Sequence, residues 1–401
     1  MWNNTPMRVV VAHNYYKQAG GEDQVVAAEV AMLRQHGHDV TRYCLHNDAI
    51  DQMPRTELVA RTIWNRSSYL ELRALVRESR AHIVHFHNTF PLMSPSAYYA
   101  ARAEGAAVVQ TLHNFRLTCA GALLLRDGKV CEDCLGSFAP WQGVWRKCYR
   151  GNLAASATVT AMLAAHRVAG TWRNAVDVYV ALTEFGRRKF EAAGLPADRV
   201  VVKSNFVFPD PGPGTGGGGY AMFVGRLSAE KGLGTLLEAW RQLGGQVPLR
   251  IVGDGPMAPQ VKEAAARDPA IQWMGSVPLD SVYRLMGGAA FAVVPSVWFE
   301  GFPRVMAEAF AKGTPLIASR MGAMAELIQE GRTGLLFTPG DALELAQVAQ
   351  RLFHDTPRLT QMRRSARLEF EEHYTAERNH EGIMAIYARA LSVRSRKEPC
   401  C

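Results

Sequence analysis

The segment Phe299-Glu300-Gly301-Phe302-Pro303-Arg304-Val305-Met306-Ala307-Glu308-Ala309 sets two carboxylates, Glu300 and Glu308, around the start of a helix. Pro303 suits the first helical position, where its fixed φ is favourable and its missing N–H costs nothing. The N–H groups that such a helix start leaves without intrahelical partners form an anion site. A second segment, Gly225-Arg226-Leu227-Ser228-Ala229-Glu230-Lys231-Gly232, puts two cations, Arg226 and Lys231, into one short loop. Two cations there can neutralise a diphosphate and stabilise it as a leaving group without a metal ion. Gly20 and Gly21 open another helical stretch, and glycine lets backbone approach a phosphate or sugar closely. Gly253-Asp254-Gly255 is a weaker signal of the same kind, since many α/β turns read so. His113 ends an apolar run, where a histidine can be structural or chemical. His85 and His87 alternate along one strand and so share a side, either lining a pocket or satisfying each other. Four of the seven cysteines crowd into one stretch. Cys131 and Cys134 have the short-knuckle spacing of a zinc site, and Cys119 and Cys148 can complete four thiolates. Only one pair is close in sequence, so free thiols and a redox or iron–sulfur role stay open beside structural zinc.

Placing these groups requires a scaffold that presents loops at strand ends. The pattern supplies one twice. Met7–Ala12 is a valine-rich strand, followed by the Gly20-Gly21 loop, a helix over Glu22–Gln35 ended by Gly37, and a strand over Asp39–Tyr43. That is the opening of a Rossmann-like fold. Further strands are predicted at His82–His87, Val108–His113 and Val178–Leu182. Residues 209–219, PDPGPGTGGGG, read as a linker or a disordered surface loop. The opening pattern then recurs: strand Ala221–Val224, the loop with Arg226 and Lys231, helix Leu233–Leu243 and strand Leu249–Val252. The predicted strand Phe291–Val294 leads into the Glu300 segment. The expectation is an α/β chain of two Rossmann-like domains, 1–208 and 220–375, with a cysteine-containing insert at about 114–150. Ligands of such sheets sit beyond the carboxyl ends of the strands, here in a cleft between the domains. A terminal helix over Ala376–Leu391 is expected to pack back on the first domain, and the tail Arg394–Cys401 to fray.

In order and spacing, Gly225–Gly232, Val252–Pro256, the Glu-x7-Glu segment Glu300–Glu308, and the runs 309–319 and 322–337 resemble the donor domain of glycosyltransferase family 4. These are retaining enzymes with the GT-B fold, and the resemblance extends over nearly the whole chain. It implies that Arg226 and Lys231 neutralise the diphosphate of a nucleotide sugar such as a UDP-sugar. It implies that Glu300 contacts donor-sugar hydroxyls and Glu308 ribose hydroxyls, with backbone N–H groups of Gly301, Phe302 and Val305 on phosphate. The family has a similar glycine pair at Gly20-Gly21 and often a histidine near the donor sugar, here His113. The implied reaction moves a hexose-type sugar onto a glycan or polyprenyl-linked acceptor, in surface polysaccharide biosynthesis, with no cofactor for catalysis. Retaining members of this fold are thought to react on the leaving-group face of the donor, and no general base is assigned. Many members lack the cysteine insert, so the family implies nothing about it.

Composition agrees with a water-soluble α/β enzyme, 48% hydrophobic and 20% charged. No apolar run can span a bilayer and the start lacks a signal-peptide pattern, so a cytoplasmic protein is expected. Residues 1–205 carry 24 Lys/Arg against 17 Asp/Glu, a net of +7, and residues 206–401 carry 21 against 20, a net of +1. The asymmetry points to an anionic partner for the first half. Arg55–Arg80, with Arg61, Arg66, Arg73 and Arg77 among Trp64, Tyr69, Leu70 and Leu72, reads as a basic amphipathic stretch. It can rest peripherally on an anionic membrane, or be an ordinary helix packed on a sheet. Neither glycine loop spells G-x-G-x-x-G, which argues against a nicotinamide enzyme. The alternatives are an epimerase or phosphorylase of the same fold, or a zinc-stabilised nucleic-acid-binding protein. No nucleic-acid partner is expected under the leading reading.

Overall fold

Strands rich in valine and alanine, buried along their whole length, are the mark of parallel sheets covered on both faces by helices. The chain builds two of them. The computed structural model describes residues 6–17 and 20–396. They form two units: Met1–Leu124 with Cys131–Ser204 and Asn379–Cys401, and Leu125–Val130 with Asn205–Arg378. The first sheet uses β1 (Arg8–Tyr15), β2 (Asp39–His46), β3 (Ile83–Asn88) and β4 (Ala107–Leu112). A short antiparallel hairpin of β5 (Leu125–Arg126) and β6 (Lys129–Val130) follows, then β7 (Val178–Ala181) and β8 (Val200–Val202). The six main strands run parallel in the order β2-β1-β3-β4-β7-β8. Every residue of β3 and β4 is buried.

The second sheet takes β9 (Ala221–Val224), β10 (Leu249–Val252), β11 (Ile271–Trp273), β12 (Phe291–Val294), β13 (Leu316–Ser319) and β14 (Gly334–Phe337). Its order is β11-β10-β9-β12-β13-β14, all parallel. Trp240, Leu249, Ile251, Phe291 and Phe337 fill the core on one face, none more than 0% exposed. The order in which strands are added reverses between β9 and β12, and in the first sheet between β1 and β3. Loops leave these switch points in opposite senses and open a crevice at the carboxyl ends of the strands.

The expected strands and the helix Gly21–Gln35 all form. The terminal helix runs Ala376–Ser395, and from Asn379 onward it belongs to the first unit. There the Asn379 amide donates to the Ser204 carbonyl at 3.3 Å. The fraying expected of the tail lies mostly outside the described residues.

The Pro/Gly tract differs from its reading as a linker or disordered loop. It is part of the second unit, and its backbone is bonded there. Gly214, Gly216 and Gly218 N–H groups donate to the carbonyls of Lys312, Gly287 and Gly288, each at 2.9 Å. A Cβ on Gly214 would stand 2.2 Å from Gly287 Cα, and one on Gly218 2.3 Å from the Tyr220 ring. These glycines are there because backbone packs on backbone. Arg55–Arg80 is likewise two helices, Arg55–Ile63 and Arg66–Ser79, not one stretch. Asn65 breaks it by capping the second helix, its side chain accepting from the Ser67 and Ser68 N–H groups.

Candidate functional site

In the second unit, the loops after β9 and β12 flank the switch point and are bonded to each other. Val297 N–H donates to the Glu230 carbonyl at 3.0 Å. Gly232 sits at φ +72°, and a Cβ there would stand 1.8 Å from the Pro295 carbonyl oxygen, so only glycine lets the loops meet. This contact brings Lys231 to Glu300. The Lys231 ammonium lies 2.8 and 2.9 Å from the two carboxylate oxygens of Glu300. The Ser296 hydroxyl donates to Glu300 Oε1 at 2.6 Å, and the Trp298 ring lies 5.6 Å from Lys231 Nζ. Glu300 is buried. Arg226 reaches Glu230, which also accepts from Ser228 Oγ at 2.8 Å. Burial pushes the Glu230 carboxyl up, but Ser228 and Arg226 outweigh it and hold it low. The Arg226 side chain is still 56% exposed. The site therefore offers one exposed cation and one partly shielded cation, each held by an anion of its own loop system.

Glu308 lies on the helix Arg304–Ala311, with Arg304 Nε 3.0 Å from its Oε1. Burial pushes its carboxyl up, and Arg304 opposes this. Pro303 is the residue before the helix and not its first residue, with ψ 108°. Phe302 buries its ring 5.8 Å from that of Tyr374, so its side chain belongs to the core and only its backbone is available to a ligand. Val305 occupies the first helical turn and Gly301 the loop before it. Gly253 has a structural explanation. At φ +134°, a Cβ would fall 1.9 Å from the Gly225 carbonyl oxygen, so two strand ends meet there.

In the first unit, a buried polar chain runs inward from His113. His113 Nε2 lies 3.0 Å from His87 Nδ1, and His87 Nε2 lies 3.1 Å from Glu29 Oε1. Glu29 also meets His85 Nδ1 at 3.0 Å and Lys203 Nζ at 3.4 Å. Burial pushes Glu29 up, yet His85, Lys203 and His87 hold its carboxyl well below the usual range. A carboxylate can only accept, so His87 Nε2 carries the proton and His87 Nδ1 accepts. His113 must then donate from Nε2, which leaves its Nδ1 as an acceptor. Burial first, then His85, lowers His87 to about 4, and burial and His87 lower His113 well below its ordinary value, so both rings are neutral near pH 7. His85 and His87 are thus buried partners of Glu29 and do not line an open pocket. Beside them, His13 Nε2 lies 2.8 Å from Asp23 Oδ1, while Asp23 Oδ2 accepts the Gly20 N–H at 2.8 Å. Glu22 Oε1 is 3.9 Å from His13 Nδ1, and burial, then Asp23, pushes its carboxyl well up. A Cβ on Gly20 would meet nothing within 4 Å, and its φ of −127° suits any residue. The fold itself does not demand glycine at this position. Gly21 begins the helix.

Two family descriptions match the chain. "Glycosyl transferase 4-like domain" covers residues 20–205, and "Glycosyl transferases group 1" covers 218–355. Together they cover every strand of both sheets except β1. The chain belongs to the family 4 glycosyltransferases, with the GT-B fold. It is similar to the amylovoran biosynthesis glycosyltransferase AmsK of Erwinia amylovora, 27% identical over 217 residues, 49% of this chain and 53% of that one. It is 31% identical over 212 residues to the 2-deoxystreptamine glucosyltransferase of Streptomyces kanamyceticus, 50% of this chain and 52% of that one. The chain thus spans about half the length of these curated relatives. The crystal structure of Anabaena HepE in complex with UDP shares the fold at TM-score 0.65 and 17% identity, covering 95% of this chain and 100% of HepE.

Sequence reasoning missed Ser296, Asp23 and Glu29. Ser296 stands four residues before Glu300, in a loop where spacing carries no regular period. Glu29 reads as one more polar residue of a helix, and only the fold shows that it is 1% exposed. The four cysteines Cys119, Cys131, Cys134 and Cys148 are each half-buried and in no disulfide among the described residues. Burial, then the neighbouring Cys119, pushes the Cys134 thiol up to about 11.

Proposed function

We propose that this chain transfers a hexose-type sugar from a UDP-sugar, with retention, to a glycan or lipid-linked saccharide acceptor. The observation that carries the proposal is the Lys231–Glu300 pair at the switch point of the second sheet, with Arg226 exposed beside it. In the reaction, the bond between the anomeric carbon and the diphosphate oxygen breaks, and a bond to an acceptor hydroxyl oxygen forms. The acceptor proton goes to the departing diphosphate. Charge builds on that diphosphate, and Arg226 and Lys231 neutralise it from fixed positions. Glu300, anchored by Ser296, has lone pairs for donor-sugar hydroxyls. Glu308, driven toward its neutral form by burial, suits the ribose hydroxyls as donor and acceptor. Neutral His113, with its Nδ1 lone pair set by His87 and Glu29, accepts from a sugar hydroxyl. Gly20 leaves backbone open to close approach. The family match and the UDP complex of HepE support this reading. Incubation with UDP-, GDP- and dTDP-sugars, following release of the nucleoside diphosphate, tests it. Release from a UDP-sugar, retained in chelator, is expected, and no release or binding of any nucleotide sugar would sink it.

The acceptor reading includes contact with an anionic membrane. Among the described residues, no helix is long and apolar enough to cross a bilayer. Arg55–Arg80 supports such contact less than its composition suggested. Arg73 and Arg77 share Glu104, and Arg61 pairs with Glu57. Trp141 and Trp145 are a better candidate, four residues apart and 55% and 71% exposed, with Phe138 at 61% and Lys147 and Arg150 nearby in sequence. Exposed tryptophan among cations fits a headgroup layer.

A further inference from the structure

Residues 114–150 hold little regular structure: the β5–β6 hairpin and a four-residue helix, Gln142–Trp145. The backbone is strained there. Of the seven described non-glycine residues at positive φ, five are Ala122, Leu124, Asp127, Lys147 and Arg150. Such a conformation is unfavourable for a residue with a Cβ and persists only where its surroundings force it. The feature common to the segment is its cysteines: Cys119 and Cys148 meet at Gly121, Cys148 also borders Gly143, and Cys134 borders Gln142. A Cβ on Gly121 would stand 3.8 Å from Cys119 Sγ and 3.7 Å from Cys148 Cβ. A Cβ on Gly143 would stand 4.0 Å from Cys148 Sγ and 2.9 Å from Ala120 Cβ, so glycine at both places lets the Cys119 turn and the Cys148 turn close on each other. The Cys134 thiol lies 3.8 Å from Gln142 Oε1, next to Gly143 in the chain. The backbone ties three of the four cysteines in place: Cys119 N–H to the Phe115 carbonyl, Cys131 N–H to that of Leu124 and Cys148 N–H to that of Gly143, at 2.8–2.9 Å.

We propose that Cys119, Cys131, Cys134 and Cys148, all in the first unit, bind one zinc ion as a four-thiolate structural site. Four S–H protons leave to solvent, four Zn–S bonds form, and no electron changes hands. The ligand groups that already stand within 4.8 Å of one another are Glu29-His85-His87 and Glu369-Glu372-His373. Closure of the thiols therefore takes side-chain rotation toward the roughly 3.8 Å sulfur spacing that zinc–sulfur bonds of about 2.3 Å impose. The Glu29 group is a poorer metal site, because Lys203 and Tyr387 already occupy its ligand atoms. The zinc site would hold Arg116, whose guanidinium sits over the Phe90 and Tyr149 rings at 4.4 and 4.8 Å.

The test is metal analysis of the full chain, purified without a metal-binding tag, before and after addition of zinc chloride. About one zinc per chain is expected, released stoichiometrically as a mercurial blocks four thiols. Replacement with cobalt chloride should give the sulfur-to-cobalt charge-transfer and tetrahedral d–d bands. Cys131→Ser and Cys148→Ser should each lose the metal, and Cys44→Ser should keep it. Less than about a tenth of an equivalent after zinc addition, with four thiols reacting freely in the folded wild-type chain, would overturn the proposal. So would stoichiometric iron with visible absorbance. Both readings come from the wild-type chain, so a variant that fails to fold leaves the answer intact.

Discussion

At the scale of single residues, the account rests on partners fixed by acceptor-only carboxylates. Glu29 sets the proton on His87, and His87 sets the proton on His113. Glu29→Gln replaces an acceptor by an amide that can present its NH2 group to His87, so the tautomer of His113 is no longer determined. We expect kcat to fall by roughly tenfold to a hundredfold with a smaller change in donor KM, since positioning is lost and binding surface is kept. A loss confined to stability, with kcat unchanged in the folded variant, would show that the chain from Glu29 is structural only. The second-unit residues were legible because they lie in short local motifs, Gly225–Gly232 and Glu300–Glu308, whose spacing survives in the linear text. The His113 chain was not. His113, His87 and Glu29 are 26 and 58 residues apart; the parallel pairing of β3 with β4 brings the two histidines together, and the helix Gly21–Gln35 brings Glu29 to them.

At the scale of elements, continuous apolar runs made the strands readable, and glycine positions explain what the runs could not. Gly253→Ala should destabilise the second unit by about 3 kcal/mol, because a Cβ at φ +134° collides with the Gly225 carbonyl. Gly20→Ala should leave thermal stability within about 0.5 kcal/mol, since no atom stands near its Cβ. If Gly20→Ala also leaves activity unchanged, close backbone approach at that loop is wrong. Denaturant unfolding of both variants reads the two outcomes together. The Pro/Gly tract was misread because composition cannot distinguish a floppy linker from backbone packed on backbone. The break at Asn65 carried a signal, an asparagine before Ser67 and Ser68, that the charge pattern of Arg55–Arg80 obscured. The one-residue offset at Pro303 is the usual uncertainty of helix ends.

At the scale of the whole molecule, pH and membrane contact are the accessible tests. His87 is lowered to about 4 by burial, and His113 falls well below its ordinary value. The unfolded chain therefore binds protons at these sites first as pH drops. Stability from them is full above about 6.5 and is lost as pH falls toward 4. Thermal unfolding followed between pH 7.5 and about 4.5 should show a falling midpoint, steeper in wild type than in His87→Gln. A flat profile would place these rings in water. Flotation with vesicles separates the two membrane candidates. Binding that rises with anionic lipid and is lost in Trp141→Ala/Trp145→Ala, but kept when Arg61, Arg66 and Arg73 become Gln, would assign the aromatic surface. Equal recovery with neutral and anionic vesicles would leave a soluble acceptor. The central claim is that Lys231 and Glu300 form the donor site. It is tested most directly by nucleoside diphosphate release from the preferred sugar donor, in chelator, for wild type, Lys231→Ala and Glu300→Gln. A loss of roughly 100- to 1,000-fold is expected in each variant at an unfolding temperature close to wild type. Turnover within about twofold of wild type, in both folded variants, would contradict it.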